Sequence, residues 1–201
     1  SDLLFQGLPT GKLVAYDAKN GEALWSYDAG LGISAPPITY ELDGKQYLSI
    51  LVGFGGGYAS GFAFGASATK LGWAYGAQTR RLLTFTLGGS AKVPPQGRPV
   101  FAQPIFESDF EVDSDLATAG ETLYAENFCV TCHGANAIAS GMAPDLRSSA
   151  IPLSEMAPVF AQIVREGIKT GRGMPGIPEL SDAELEALRH FIRMKAHEGF
   201  E

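Results

Sequence analysis

The sequence predicts a β + α chain. It has a β-rich stretch over residues 1–92, an extended linker over 93–113 and a helical part over 114–201. Three observations carry this reading. Short apolar runs separated by Asn20-Gly21 and Asp43-Gly44 fill the first stretch, and such dipeptides favour tight reversals between strands. Pro94, Pro95, Pro99 and Pro104 crowd the second, where the missing N–H groups and fixed φ exclude helix. Helical periodicity and a Ser-Asp-Ala-Glu box mark the third.

In order along the chain, "GKLVAYDA" reads as a strand and "EALWSYDA" as its hairpin partner across Asn20-Gly21. "APPITYEL" and "KQYLSILVGF" form a second hairpin across Asp43-Gly44, and "RRLLTFTLGG" is one more strand. The short spacing suits the four-stranded sheet of a propeller blade. From Gln46 to Thr69 there is no charge, and Gly57, Gly61 and Gly65 keep the spacing of membrane helix pairs. Six glycines interrupt that stretch, so a buried strand entering a Gly-rich loop is the better reading. "GGGYASG" is a weak echo of a dinucleotide loop, but no amphipathic helix follows it.

In the linker, Glu107, Asp109, Glu111, Asp113 and Asp115 favour solvent, while Phe101, Phe106 and Phe110 are anchors for a wrapped course over a neighbouring surface. "LATAGETLYAENF" and "SEMAPVFAQIVREG" then read as helices, the second stopped near Gly167. Ser181 starts the last helix, whose apolar face is Leu185, Leu188, Phe191 and Ile192. Gly120 and Tyr124 are expected to meet this helix near Leu188 and Phe191, the glycine allowing close approach.

The totals restrict function. The 201 residues carry a net charge of −7, which argues against nucleic acid and suits partners with a positive docking surface. "SDLLFQGLPTGK" lacks a basic stretch followed by an apolar one, so no secretory signal is visible. Either it has been removed or the chain is a piece of something longer.

The two cysteines fall in Cys129-Val130-Thr131-Cys132-His133. This is the c-type haem attachment pattern: two thiols reach the two vinyl groups of one porphyrin, and the next histidine lies beneath the iron. A redox dithiol does not require the histidine, and a zinc site needs a further pair of ligands. The other histidines, His190 and His197, are both on the last helix. For the second axial ligand, Met156 and Met194 lie in helical patterns, and Met142 is only nine residues beyond His133. Met174, in "TGRGMPGIPEL", sits in a loop of glycine and proline and is the expected ligand. A His/Met pair raises the potential above that of a bis-His centre. The Pro144 carbonyl is the expected acceptor for the second ring nitrogen of His133. Arg147 is either a haem propionate partner or a solvated arginine.

The helical part resembles a class I-like cytochrome c domain through "GETLYAENFCVTCHG", "GMAPDLR" and "GMPGIPELSDAELEAL". Upstream, Ala15, Asp17, Gly21 and Trp25 in "AYDAKNGEALW" resemble the tryptophan-docking repeat of the pyrroloquinoline quinone (PQQ) alcohol dehydrogenase propeller, with Asn20 where that family usually has threonine. Together the parts resemble the C-terminal portion of a quinohaemoprotein alcohol dehydrogenase. The implied fold is a partial β-propeller, its last blade, followed by an all-α cytochrome c domain.

The resemblance implies an enzyme in which PQQ and Ca2+ serve alcohol oxidation and haem c passes electrons to an external cytochrome, copper protein or quinone, in the periplasm. The family's catalytic residues lie in earlier blades, so none is assigned in this chain. Gly53 and Phe54 either line the PQQ site or are a plain strand end. One blade cannot close a propeller or cover its own edges, so the chain is expected to need the remaining blades. The alternative is a stand-alone periplasmic cytochrome c carrier with a β-rich docking appendage. Burial of Trp25 against a neighbouring blade distinguishes the first reading. A membrane-anchored redox subunit is a third reading and depends on residues 46–69.

Overall fold

A computed structural model describes residues 2–53, 74–138 and 142–199. Its β-rich part is two antiparallel sheets of three strands each. The first holds β1 (Leu3–Gly7), β2 (Lys12–Asp17) and β3 (Ala23–Asp28); the second holds β4 (Ile38–Leu42), β5 (Lys45–Val52) and β6 (Arg81–Thr86). Five of these strands follow the expected order. β1 was not anticipated, because "LLFQG" has too little apolar–polar alternation to announce a strand, and it forms by pairing with β2 in register Leu3↔Asp17 to Gly7↔Leu13.

The two turns behave differently. Asp43 and Gly44 both take positive φ, 51° and 72°, and Leu42 pairs with Lys45, so this is the two-residue reversal that Asp-Gly favours. Asn20-Gly21 is not one. The Asp17 carboxylate accepts from the Lys19 N–H at 2.7 Å, and the Asn20 side-chain oxygen accepts from the Glu22 N–H at 2.8 Å. These local bonds hold a wider loop, and the register shifts between Ala15 and Tyr16.

The sheets face one another. Leu13, Ala29, Leu31 and Ile33 pack with Leu48, Ile50, Val52 and Leu83, and Phe5, Tyr27 and Phe85 flank them. The approach is close at Gly7, where a Cβ would fall 2.2 Å from Ile33 Cγ2. The opposite face of the second sheet carries exposed apolar side chains around a buried Ser49. Ile38, Leu51 and Leu82 are 60%, 59% and 65% exposed, and the pairs Ile38↔Ser49 and Leu51↔Leu82 place all three on the Ser49 side.

The linker is seated at both ends. Arg81 donates to the Pro94 and Pro95 carbonyls at 2.7 and 2.9 Å, and the Val100 N–H donates to Ala77 O at 2.9 Å. Further on, Phe106 and Phe110 lie against His197 and His190, with ring centroids 4.5 and 4.7 Å apart. The Asp113 N–H donates to His190 Nδ1 at 3.0 Å.

The last part contains α1 (Ser114–Glu126), α2 (Cys129–His133), α3 (Ala157–Val164) and α4 (Asp182–Glu198). Asp113 caps α1 through bonds from the Asp115 and Leu116 N–H groups. Ser181 and Glu184 form the reciprocal box at the start of α4. The run "SEMAPVFAQIVREG" is helical but broken: a 3-10 turn over Ser154–Met156 precedes α3. Pro158, in the first turn of α3, has no N–H to continue a helix from upstream. α1 and α4 cross at Gly120, where a Cβ would lie 2.0 Å from Ala187 O. Tyr124 and Phe191 meet beside it with centroids 5.0 Å apart. Among the described residues, no helix is long and apolar enough to cross a membrane; residues 54–69 of the uncharged stretch lie outside them.

Candidate haem-binding site

α2 is the Cys-Val-Thr-Cys-His segment itself. Phe128, which caps it, takes a left-handed φ of 58°, so the chain leaves α1 through Asn127 and turns abruptly into Cys129. Gly134 ends the turn at φ 77°. Tyr124, buried on α1, donates its hydroxyl to Gly134 O at 2.9 Å. The turn is therefore bolted to the first helix from beneath.

Cys129 and Cys132 are both partly exposed, and neither is in a disulfide. Burial pushes the Cys129 thiol up to about 11. Among the described residues no cluster of His, Cys, Asp or Glu is suited to a metal ion. A zinc or iron–sulfur site would need ligands beyond this turn, and the described residues bring none to it.

His133 is 8% exposed, and its Nδ1 lies 3.0 Å from Pro144 O. With the proton on Nδ1, that nitrogen donates to the carbonyl and Nε2 keeps its lone pair. Burial lowers the proton affinity of the imidazole, an effect larger than the opposing one of the Pro144 carbonyl. The neutral ring is the form that binds a metal.

The Pro144 loop is itself braced. Arg147 forks onto Asp145, Nε to Oδ1 at 3.0 Å and Nη2 to Oδ2 at 2.8 Å. One edge of the guanidinium, Nε and Nη2, is spent there, so Arg147 is a loop brace, and its remaining N–H groups could still meet a propionate. Neither this fork nor the Tyr124 anchor was expected from sequence. A tyrosine ten residues before Gly134 and a carboxylate two before an arginine are the only traces they leave.

Met174 packs on the apolar cluster that includes Cys129, Val130 and Leu188. Its loop is pressed backbone to backbone against the end of α3: a Cβ on Gly176 would lie 2.9 Å from Gly167 Cα and 3.0 Å from Arg165 O. The Ile177 N–H donates to Val164 O at 2.8 Å. Met142 is 40% exposed, and Met194 lies on α4 against the same cluster. The residue set fits haem c: two thiols on one turn, a neutral imidazole with Nε2 available, and a thioether held over the same apolar floor.

Residues 115–192 match the family described as cytochrome c oxidase, cbb3-type, subunit III. The whole chain is 36% identical to the dehydrogenase subunit of a quinone alcohol dehydrogenase from Gluconobacter oxydans, covering 25% of that protein. Over 99% of the chain it is 39% identical to lupanine 17-hydroxylase [cytochrome c] from a Pseudomonas species, covering 27% of it. Among solved structures, a quinohemoprotein alcohol dehydrogenase from Pseudomonas putida superposes with a TM-score of 0.73 at 31% identity, over 98% of this chain and 27% of that one. The enzyme from Comamonas testosteroni gives 0.65 at 32% identity, over 98% and 27%. The chain is similar over its length to part of the quinohaemoprotein alcohol dehydrogenases. It spans about a quarter of the curated relatives it matches. The cytochrome c segment calls for covalent haem c, and the only cysteines of the chain lie within it.

Of the two expected PQQ contacts, only Gly53 is among the described residues. Gly53 follows β5 with φ 114° and bridges to Ile33. A Cβ there would fall 2.8 Å from Arg80 Cγ, so packing accounts for the glycine. Phe54 lies outside the described residues.

Proposed function

We propose that this chain is the electron-exit portion of a PQQ- and calcium-dependent alcohol dehydrogenase. Cys129 and Cys132 hold the haem covalently, and His133 and Met174 ligate its iron. Pro144 fixes the His133 tautomer, and Arg147 braces the Pro144 loop. When bound, the haem supplies one-electron redox chemistry. Oxidation of the alcohol belongs to the rest of the polypeptide, with PQQ and Ca2+, and this segment delivers electrons to an external acceptor in the periplasm. The observation that carries the reading is the buried His133, its Nδ1 on the Pro144 carbonyl, at the end of a Cys-x-x-Cys turn.

The two facing sheets belong to the last part of a propeller. The exposed apolar face of the second sheet, with Ile38, Leu51 and Leu82, favours the remaining blades as its cover. A free carrier would leave that face in water, where large apolar patches are rare. Trp25 does not by itself separate the two readings. Its ring is edge-on to Phe85 of the other sheet at 5.6 Å and stacked with Tyr27 of its own strand at 6.2 Å. The expected burial is partial, since Trp25 stays 42% exposed.

The test is a visible spectrum of the chain joined to, or mixed with, the remaining propeller polypeptide, loaded with PQQ and Ca2+. Addition of a primary alcohol should reduce the haem. Reduction by dithionite but not by alcohol would leave the carrier reading. A protein without a haem spectrum would refute both.

A further inference from the structure

Arg193 is fully buried on α4, at 0% exposure. Among the described residues no carboxylate meets it in an ion pair, although Glu107 acts on it through space. Its guanidinium goes instead to three backbone carbonyls: Nη1 donates to Ile105 O at 3.2 Å, and Nη2 to Leu146 O at 3.3 Å and Arg147 O at 3.4 Å. Burying a charge this way is costly. Leu188, Phe191 and Ile192 fill the other side of α4 with apolar groups, whereas Arg193 shares its side with Arg189, His190 and His197 at i±3 and i±4. An arginine here has a purpose other than filling space.

The carbonyls come from two segments. Ile105 belongs to the linker; Leu146 and Arg147 belong to the loop behind His133. The segments are also joined directly, the Ile105 N–H donating to Arg147 O at 2.9 Å. Pro144, whose carbonyl faces His133 Nδ1, is two residues from Leu146. The Asp145–Arg147 fork stiffens the span between them. No slack element separates the linker from the imidazole.

We infer that Arg193 is a positioning residue that couples the seating of the linker to the orientation of His133. The linker is then part of the haem site, not a passive tether. Since Arg81 grips the linker's other end on the β-rich part, the iron ligand is sensitive to how the two parts sit on the strap between them. This rests on the reading of Cys129–His133 as a haem site.

The test uses the complete haem-loaded polypeptide and two variants. Arg193→Lys keeps the charge but loses the planar fork that serves separate carbonyls. Ile105→Pro leaves Arg193 intact but removes the N–H that bonds Arg147 O. Three quantities are read: amide exchange in the linker, the His133 ring-proton signals and the midpoint potential. A weaker Pro144 contact makes His133 a poorer electron donor. Both variants should therefore move the midpoint upward, changing the oxidised-to-reduced ratio by up to about tenfold, or about 59 mV for one electron. The His133 signals should shift in both. A variant that binds haem and loosens its linker, yet leaves His133 and the midpoint unchanged, overturns the inference. So does a shift in Arg193→Lys alone, which would be a local effect. If Arg193→Lys fails to fold, Ile105→Pro decides by the same criterion. A wild-type protein that carries no haem refutes the site itself, and this inference falls with it.

Discussion

Gly120→Ala is the sharpest test of how the helical part is held together. On an exposed helix the change would stabilise by about 1 kcal/mol, because glycine gives up more backbone freedom than alanine on folding. Here the new Cβ would lie 2.0 Å from Ala187 O and 2.9 Å from Phe191 Cβ. An ordinary contact is about 3.5 Å, so roughly 1.5 Å of separation between α1 and α4 is needed. The nearer obstacle is a helix backbone carbonyl, which no rotamer change can move. Overpacking of this kind costs about 1–3 kcal/mol and at times more. A gap of even half that size forfeits a quarter or more of the dispersion at each contact along the crossing. Ala117, Leu188 and Phe191, all buried there, would lose it together. We expect a net destabilisation of about 2 kcal/mol, measured by denaturant unfolding of the haem-loaded protein followed by circular dichroism. Because α1 carries Tyr124, the Gly134 contact should loosen too, with a change in the haem spectrum. A variant as stable as the parent, or more so, would refute the argument, since only the clash reverses the sign of the propensity gain.

Other predictions concern the site and its supports. Met174→Ala should bind haem covalently but lose the spectrum of a six-coordinate low-spin centre, whereas Met142→Leu should retain it; the reverse would move the ligand to Met142. Replacing both Cys129 and Cys132 by alanine should release the haem on denaturing gels. Gly176→Ala should disturb Met174 without touching it, because the added methyl meets the Gly167 backbone; its thioether-dependent spectrum should weaken, with the loss growing on heating. His197 is held below its ordinary range first by burial and then by Arg193, with Glu107 opposing. A histidine so lowered binds its proton better unfolded than folded. Its contribution is complete above about pH 6.5 and disappears as pH falls through the folded value. Stability of the haem-loaded protein should decline over that window, and His197→Gln should flatten the slope; an unchanged slope would remove His197 from the account.

Local chemistry was the most legible part of the sequence. Cys129, Cys132 and His133 fall within five residues, and their spacing alone points to haem attachment. The capping box at Ser181 and the reversal at Asp43-Gly44 need only neighbours in sequence, and both form as expected. The Pro144 contact was legible because a single short loop follows the motif. Edge strand β1 was not, since its pairing with β2 supplies what its own pattern lacks. The wider loop at Asn20-Gly21 was misjudged for a related reason: Asp17 and Asn20 side chains outbid the two-residue turn. Arg193 was invisible because its partners lie far off in sequence, at Ile105 and Leu146, and a lone arginine on an amphipathic helix ordinarily faces solvent.

The exposed face and the buried arginine bear on the same question from opposite ends of the chain. Ile38, Leu51 and Leu82 present apolar surface that β4–β6 cannot cover with their own residues. The linker, by contrast, leaves little uncommitted: Arg81 holds Pro94 and Pro95, and Arg193 holds Ile105. A carrier with a loose appendage needs neither feature. An electron exit fixed relative to a larger β-structure needs both, because transfer depends on a constant separation and that separation is set where the strap is gripped. Disordering the linker while leaving the haem ligands intact should therefore slow reduction by alcohol more than reduction by dithionite. Equal slowing of the two would place the linker's role in folding alone.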